Sequence, residues 1–261
     1  MTKVSKAIIP IAGLGTRFLP LSKVLPKELW PLLDKPVIQR ITEEALASGI
    51  KKIIFVTRPG KKIILDYFKS LGIPFEKVSQ NKQLGDGHAV LQAESKIKNE
   101  AVAVLFGDDI VESKTPCLAQ LIKVFKKYQK PVIALYRLPK EQLSSYGIVG
   151  VEKIGPRVYK IKKIIEKPHA KDAPSNLAIV GKYILTPEVF KYLAEAKPGF
   201  KGEIILTDTF TKMIKEGKEI LGYEFEGKWL ECGNKLAFLK SHLYLCLKHP
   251  EFGQHLKKII K

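Results

Sequence analysis

Short apolar runs alternate with amphipathic segments through the first half of the chain, and that alternation restricts the fold to βαβ units on a largely parallel sheet. Strands are predicted at 6–11, 52–57, 74–79, 101–106 and 131–136, and helices at 36–48, 61–70, 87–97 and 116–128. Beyond residue 136 the alternation weakens. Residues 147–152, 157–166 and 176–185 read as extended strands, which implies an antiparallel or mixed extension beside the parallel core. Helices resume at 187–195, opened by the cap and first-turn pair Thr186-Pro187, and at 204–216. A last helix over about 233–247 puts Leu236, Leu239, Leu243 and Leu247 on one stripe, which either docks on the core or forms a subunit contact. No repeat, low-complexity stretch or linker interrupts the 261 residues, so one domain is expected.

The first strand, Ala7-Ile8-Ile9-Pro10-Ile11, runs into Ala12-Gly13-Leu14-Gly15-Thr16-Arg17. A P-loop would need G-x-x-x-x-G-K-[ST], which is absent. A dinucleotide fingerprint would need a third glycine where Phe18 stands, and the second strand runs into Thr57-Arg58-Pro59-Gly60 without an acid for a ribose. What remains is a turn whose bare backbone can approach an anion at Gly13 and Gly15, with Arg17 as a planar cationic fork beside it. Taken alone, the same turn is also a plain strand-to-helix connection. Lys23 and Lys27 follow in a loop stiffened by Pro20, Pro26 and Pro31. Lys27 either meets the same anion or lies in solvent as one of 40 lysines.

The formal charge of +19 invites a nucleic-acid reading, yet only five of the 45 basic residues are arginine and the lysines are scattered over nearly every segment. Phosphate forks and base readout favour arginine, so the pattern reads as a solvated lysine-rich surface, with no specific nucleic-acid partner. No apolar run is long enough to cross a bilayer, and no membrane partner is expected. The N-terminal residues lead straight into a strand rather than a signal-peptide core, and a cytoplasmic location is expected. Cys117, Cys232 and Cys246 are too few and too widely spaced for a disulfide framework or zinc cluster, and read as reduced thiols. A second strand end carries chemistry: Val102-Ala103-Val104-Leu105-Phe106 stops at Gly107-Asp108-Asp109, placing carboxylates at the carboxyl end of a sheet strand, where ligands of open α/β sheets gather.

"AGLGTRFLP" followed by "PKELWPLLDKPVIQ" resembles the signature of the sugar-1-phosphate nucleotidyltransferases. "GDGHAVLQAE" at 85–94, "GDDI" at 107–110, "SSYGIVGVE" at 144–152, "GEIILTDT" at 202–209 and "ECGNK" at 231–235 are similar to segments of that family in the same order. The block "EKPHAKDAPSNLAIVGKYIL" at 166–185 resembles the uridylyltransferase branch of the bacterial type. The resemblance implies an α/β, Rossmann-like nucleotidyltransferase fold, with a mixed, mostly parallel sheet, helices on both faces and a small β extension. It further implies a nucleotide-binding half at 1–135, a sugar-binding half at 136–230 and a C-terminal helical segment at 231–261.

By the same resemblance, Ala12, Gly13, Gly15 and Thr16 approach the nucleotide, Gln80 and Gly85 read uracil, and Arg17 and Lys27 neutralise the triphosphate. Gly147 lets the backbone approach glucose, Glu166 takes sugar hydroxyls and Lys167 holds the sugar phosphate. Asp108 is the implied Mg²⁺ ligand, with Asp109 structural. Glu231 stands where the family usually has aspartate; one methylene longer, it reaches the ion directly or through water. Asp86 replaces a usually apolar residue, and the chain after Phe68 is shorter than longer relatives. His88 is read as a packing or capping residue and Lys182 as solvated. The implied reaction joins UTP and glucose 1-phosphate into UDP-glucose and pyrophosphate, in a homo-oligomer of two or four chains. A thymidylyltransferase, another sugar-1-phosphate nucleotidyltransferase and a non-catalytic nucleotide-sugar-binding protein stay open as alternatives.

Overall fold

The computed structural model describes residues 3–199 and 202–260. In chain order the first elements are β1 (Lys6–Pro10), β2 (Pro31–Leu32), β3 (Lys35–Pro36), α1 (Val37–Ala47), β4 (Lys52–Thr57), α2 (Lys62–Ser70) and β5 (Phe75–Ser79). Next come α3 (Asp86–Gln92), α4 (Glu94–Ile97), β6 (Val102–Leu105), β7 (Asp109–Glu112), α5 (Cys117–Tyr128) and β8 (Val132–Arg137). The second half holds β9 (Gly147–Gly155), β10 (Val158–Glu166), β11 (Leu177–Leu185), α6 (Pro187–Ala194) and α7 (Leu206–Lys215). It closes with β12 (Leu221–Glu224), β13 (Lys228–Glu231), α8 (Lys235–Lys248) and α9 (Gly253–Ile259).

Nine strands form one sheet in the order β5-β4-β1-β6-β11-β8-β12-β10-β9. The β5-β4-β1-β6 side is parallel throughout, as βαβ crossovers require. β11 enters antiparallel between β6 and β8, and β9 and β10 add an antiparallel hairpin at the far edge. The mixed sheet with its small extension is therefore as expected. Apolar side chains cover both faces, and two core clusters result. One packs Ile38, Ile41, Phe68, Leu121 and Phe125 of α1, α2 and α5 onto Ala7, Ile9 and Phe55; the other packs Val90, Phe190 and Phe210 of α3, α6 and α7 onto Ile8, Ile54 and Val104. Residues of β1 thus divide by parity between the faces, the period-two rule of a strand buried on both sides.

Several details differ from the sequence reading. The loop at 16–29 coils into three short 3-10 turns, the helix expected at 87–97 is divided at Ala93, and α9 had no clear signal. A separate ribbon, β7 with β13, lies off the main sheet. After Phe68, α2 passes to β5 through the short link at residues 71–74. On α8, Leu236 and Leu239 are 61% and 62% exposed and Leu243 is also exposed, so this stripe does not dock on the core. The opposite face does: Phe238 packs edge-on against Phe18 and Trp30.

Candidate active site

At the carboxyl end of β1 the chain turns at Gly15, whose φ of +69° is left-handed and favours glycine. A side chain on Gly13 would meet nothing within 4 Å, so its backbone stays open to a bound group. Arg17 follows, its guanidinium donating to the Gly233 carbonyl at 3.4 Å. Lys27 opens the third short turn, and its ammonium donates to Asp108 Oδ2 at 2.6 Å. The solvent reading of Lys27 is therefore set aside: burial works against its charge, but Asp108 and then Glu28 outweigh it and raise its pKa. The next residue anchors the turn, since Glu28 takes both carboxylate oxygens to Lys61 Nζ, at 2.7 and 2.8 Å, in a fully enclosed pair.

Two distant acids meet on the β7–β13 ribbon. Glu231 pairs directly opposite Asp109, and the Cys232 N–H donates to the Asp108 carbonyl at 2.7 Å. Gly233 leaves the space between them free. A Cβ at that position would lie 3.2 Å from Glu231 Oε1 and 3.3 Å from Asp108 Oδ2, so both oxygens face one small cradle that a side chain would fill. No group of three or more His, Cys, Asp or Glu able to hold a metal is found among the described residues. Two carboxylates at the edge of an open cleft are nonetheless a donor set that suits Mg²⁺, which keeps waters and takes the rest of its ligands from phosphate oxygens. The residues fit the ion.

Burial would raise the Asp108 pKa, but Lys27 and Arg17 more than reverse this and hold it below the usual carboxylate range. Asp109 goes the other way, pushed up to about 7 by burial and then by its neighbour Asp108. Its oxygens accept from Trp229 Nε1 at 2.8 Å and from the Gly181 N–H at 3.0 Å, which ties β7 to β13 and β11. That is the structural role expected of it.

Across the cleft, β9 starts at Gly147 directly opposite Glu166, the last residue of β10. A Cβ on Gly147 would lie 3.0 Å from Glu166 Oε2, so glycine keeps that carboxylate accessible. Lys167 adopts a left-handed φ of +47°, its N–H donates to the Tyr146 carbonyl at 3.0 Å, and its half-exposed ammonium lies 3.9 Å from Glu166 Oε1. Gln80 is buried, its amide donating to the Gly85 carbonyl at 3.0 Å and lying 3.0 Å from His88 Nδ1. His88 also meets Gln92 at 3.2 Å, and burial lowers its pKa, in keeping with a packing role. Asp86, in its unusual position, accepts the Leu206 N–H at 2.8 Å at the start of α7. Its carboxyl is raised to about 6, chiefly by burial.

Lys182 corrects the sequence reading. It is completely buried and paired with Glu44 Oε2 at 2.9 Å, while Glu44 Oε1 accepts the Leu118 N–H at the start of α5. Every residue of β11 is buried, and a lysine in such a strand has no route to solvent.

All these elements open onto one cavity of about 990 Å³, large enough for two polar substrates at once. It is lined by Ala12, Gly13, Gly15, Thr16, Arg17 and Lys27, by Gln80 and Gly85, by Asp108 and Glu231, and by Gly147, Glu166 and Lys167. Every sequence-predicted site residue is among them. Tyr146, Trp229, Tyr183, Glu203 and Asp208 also line it and were not singled out from sequence. Tyr146, Tyr183, Glu203 and Asp208 were within reach of inspection, standing inside "SSYGIVGVE", "EKPHAKDAPSNLAIVGKYIL" and "GEIILTDT"; Trp229 carries no local signal.

Residues 6–246 match the model of the family described as nucleotidyl transferase. The chain is 43% identical to a UTP–glucose-1-phosphate uridylyltransferase of Staphylococcus epidermidis over 286 aligned positions, covering 100% of this chain and 99% of that protein. Among solved structures, a UDP-glucose pyrophosphorylase complexed with UDP-glucose superposes with a TM-score of 0.89 at 38% identity, covering 95% of this chain and 100% of the other. A UTP-bound enzyme of that kind from Acinetobacter baumannii gives a TM-score of 0.88 at 33% identity, with 99% of both chains covered.

Proposed function

Because the chain belongs to the nucleotidyl transferase family, we propose that it transfers the uridylyl group of UTP to glucose 1-phosphate, giving UDP-glucose and pyrophosphate. The observation that carries this reading is the cleft itself. Cationic Arg17 and Lys27 stand beside an open glycine backbone, two carboxylates share one cradle, and Lys167 with Glu166 stands across from them. Full-length identity to a uridylyltransferase supports uridylyl rather than thymidylyl transfer.

The sugar phosphate is an anion at neutral pH, so its oxygen can attack the α-phosphorus without a general base. One P–O bond forms to the sugar phosphate while the α–β bridging P–O bond breaks in line, and pyrophosphate leaves with that electron pair. Catalysis then reduces to positioning and charge neutralisation. Ala12, Gly13, Gly15 and Thr16 present backbone to the nucleotide, with Gln80 and Gly85 beside the base. Arg17 and Lys27 offset charge on the triphosphate and on departing pyrophosphate. Gly147 and Glu166 bind the hexose, and Lys167 holds its phosphate against the α-phosphorus. Asp108 and Glu231 would hold Mg²⁺, which when bound adds charge neutralisation on the phosphates.

In this reading residues 1–135 serve the nucleotide, 136–230 the sugar, and 231–261 close the domain. No helix among the described residues is long and apolar enough to cross a membrane. Three free cysteines agree with a cytoplasmic location, and the exposed leucines of α8 agree with a homo-oligomer of two or four chains. The test is product formation from Mg²⁺, UTP and glucose 1-phosphate. UDP-glucose is expected from the unsubstituted protein, and Asp108→Asn or Lys167→Ala is expected to abolish it with the fold intact. Near-normal turnover in either variant would overturn these assignments.

A further inference from the structure

Tyr146 touches both halves of the cleft. Its carbonyl accepts the Lys167 N–H at 3.0 Å, and its hydroxyl donates to Glu231 Oε2 at 2.5 Å. Its ring packs edge-on against Trp229, centroids 5.0 Å apart, and the Trp229 indole N–H is the donor that holds Asp109. Asp109 in turn follows Asp108. A single residue therefore connects the Lys167 backbone, through its own carbonyl, with the ribbon that carries both carboxylates, through its side chain.

The hydroxyl contact bears on the unusual residue of that ribbon. A glutamate has one more rotatable bond than an aspartate, and an unrestrained side chain loses more freedom when it binds an ion. Here both oxygens of Glu231 are engaged: Oε2 by Tyr146, and Oε1 by Asn234 Nδ2 at a longer 3.3 Å. The stronger bond fixes Oε2, and Oε1 is left facing the cradle beside Gly233, where Asp108 Oδ2 also points. Hydrogen bonds from outside the coordination shell orient carboxylate ligands in this way, and their loss typically weakens metal affinity 10–100-fold.

We infer that Tyr146 is a positioning residue for the divalent cation, its hydroxyl locking Glu231 in the rotamer that presents Oε1 to the ion. The inference rests on the reading above that Asp108 and Glu231 hold that cation. Tyr146 is not itself a catalytic residue, and its effect passes through Glu231.

The experiment measures Mn²⁺ bound to the protein–UTP complex by electron paramagnetic resonance, without glucose 1-phosphate, so that no turnover contributes. Tyr146→Phe keeps the ring on Trp229 and the backbone bond to Lys167, and removes only the hydroxyl. It is expected to weaken Mn²⁺ binding about 10-fold, with the affinity for glucose 1-phosphate changed less than about twofold, since that contact runs through the Tyr146 backbone. In a Glu231→Gln background, Tyr146→Phe is expected to add nothing. Unchanged Mn²⁺ affinity in Tyr146→Phe, or an equal loss in the Glu231→Gln background, would overturn the inference. If the unsubstituted complex holds no Mn²⁺, or if Asp108→Asn holds it equally well, the metal reading itself fails, a result separable from the first.

Discussion

Replacing Glu28 by glutamine removes one charge from the most deeply enclosed ion pair in the cleft wall. Glu28 and Lys61 are 2% and 4% exposed, and among the described residues no other carboxylate pairs with the Lys61 ammonium. Burial already lowers the Lys61 pKa, with Glu28 opposing it, so loss of the carboxylate leaves desolvation unopposed. Breaking a buried pair on one side costs about 3–5 kcal/mol. The ammonium can escape by losing its proton, which at pH 7 costs roughly 1.4 kcal/mol for each of about 3.4 pH units, near 4.6 kcal/mol, and that sets the ceiling. A loss of about 3–4.5 kcal/mol corresponds to a Tm lower by roughly 5–9 °C for a domain of this size.

The pH dependence identifies the cause. Once Lys61 loses its proton in the fold while the unfolded chain keeps it, the unfolded chain binds the extra proton, so above that pH the stability of Glu28→Gln rises with pH, by up to about 1.4 kcal/mol per unit, until the unfolded lysine value near 10.4. Thermal unfolding at pH 7, 8 and 9 reads both effects, and the double variant Glu28→Gln with Lys61→Met should recover much of the loss at pH 7. A Tm within 2 °C of the unsubstituted protein at pH 7, or a pH-independent drop, would refute the reasoning. Because Glu28 adjoins Lys27, the affinity for UTP should fall in parallel.

Gly181→Ala should cost about 1–3 kcal/mol by overpacking, since its Cβ would lie 2.3 Å from Asp109 Oδ2 and 2.6 Å from a Phe106 ring carbon; chemical denaturation measures this. The Asp86 carboxyl, raised to about 6, contributes stability that is fully present below the unfolded value near 3.8 and is lost as pH rises through 6. Relative to Asp86→Asn, the unsubstituted protein should therefore lose about 1–2 kcal/mol between pH 4 and pH 7, a figure reduced for the partial exposure of the group. On the proposed reading, in which Lys27 meets the triphosphate, Lys27→Met is expected to raise the KM for UTP and lower kcat, with the KM for glucose 1-phosphate changed little, as steady-state kinetics would show.

What could be read from the sequence was what depends on local pattern. The apolar run before Gly13 and Gly15 has to be a strand ending in an open turn, and Val102–Phe106 before Asp108 places an acid at a strand end by the same logic. The β7–β13 ribbon could not be read, because its four-residue strands lie far apart and neither resembles a strand without the other. Glu231 was therefore known as a residue but not as the neighbour of Asp109. Lys182 was misread for a related reason. Charge on a strand ordinarily signals a solvent face, and only the packing of β11 between β6 and β8, with Glu44 arriving from α1, shows that a buried partner exists. The outward leucines of α8 show the reverse: an apolar stripe at helical spacing identifies a helix, but not which of its faces the core takes.

The central claim is tested most directly by pyrophosphate release from purified protein with Mg²⁺ and glucose 1-phosphate, run in parallel with UTP, dTTP, CTP, ATP and GTP. Release with UTP well above the other four is the predicted result. Equal or greater release with dTTP would contradict the uridylyl assignment, and silence with all five would contradict catalysis by this cleft.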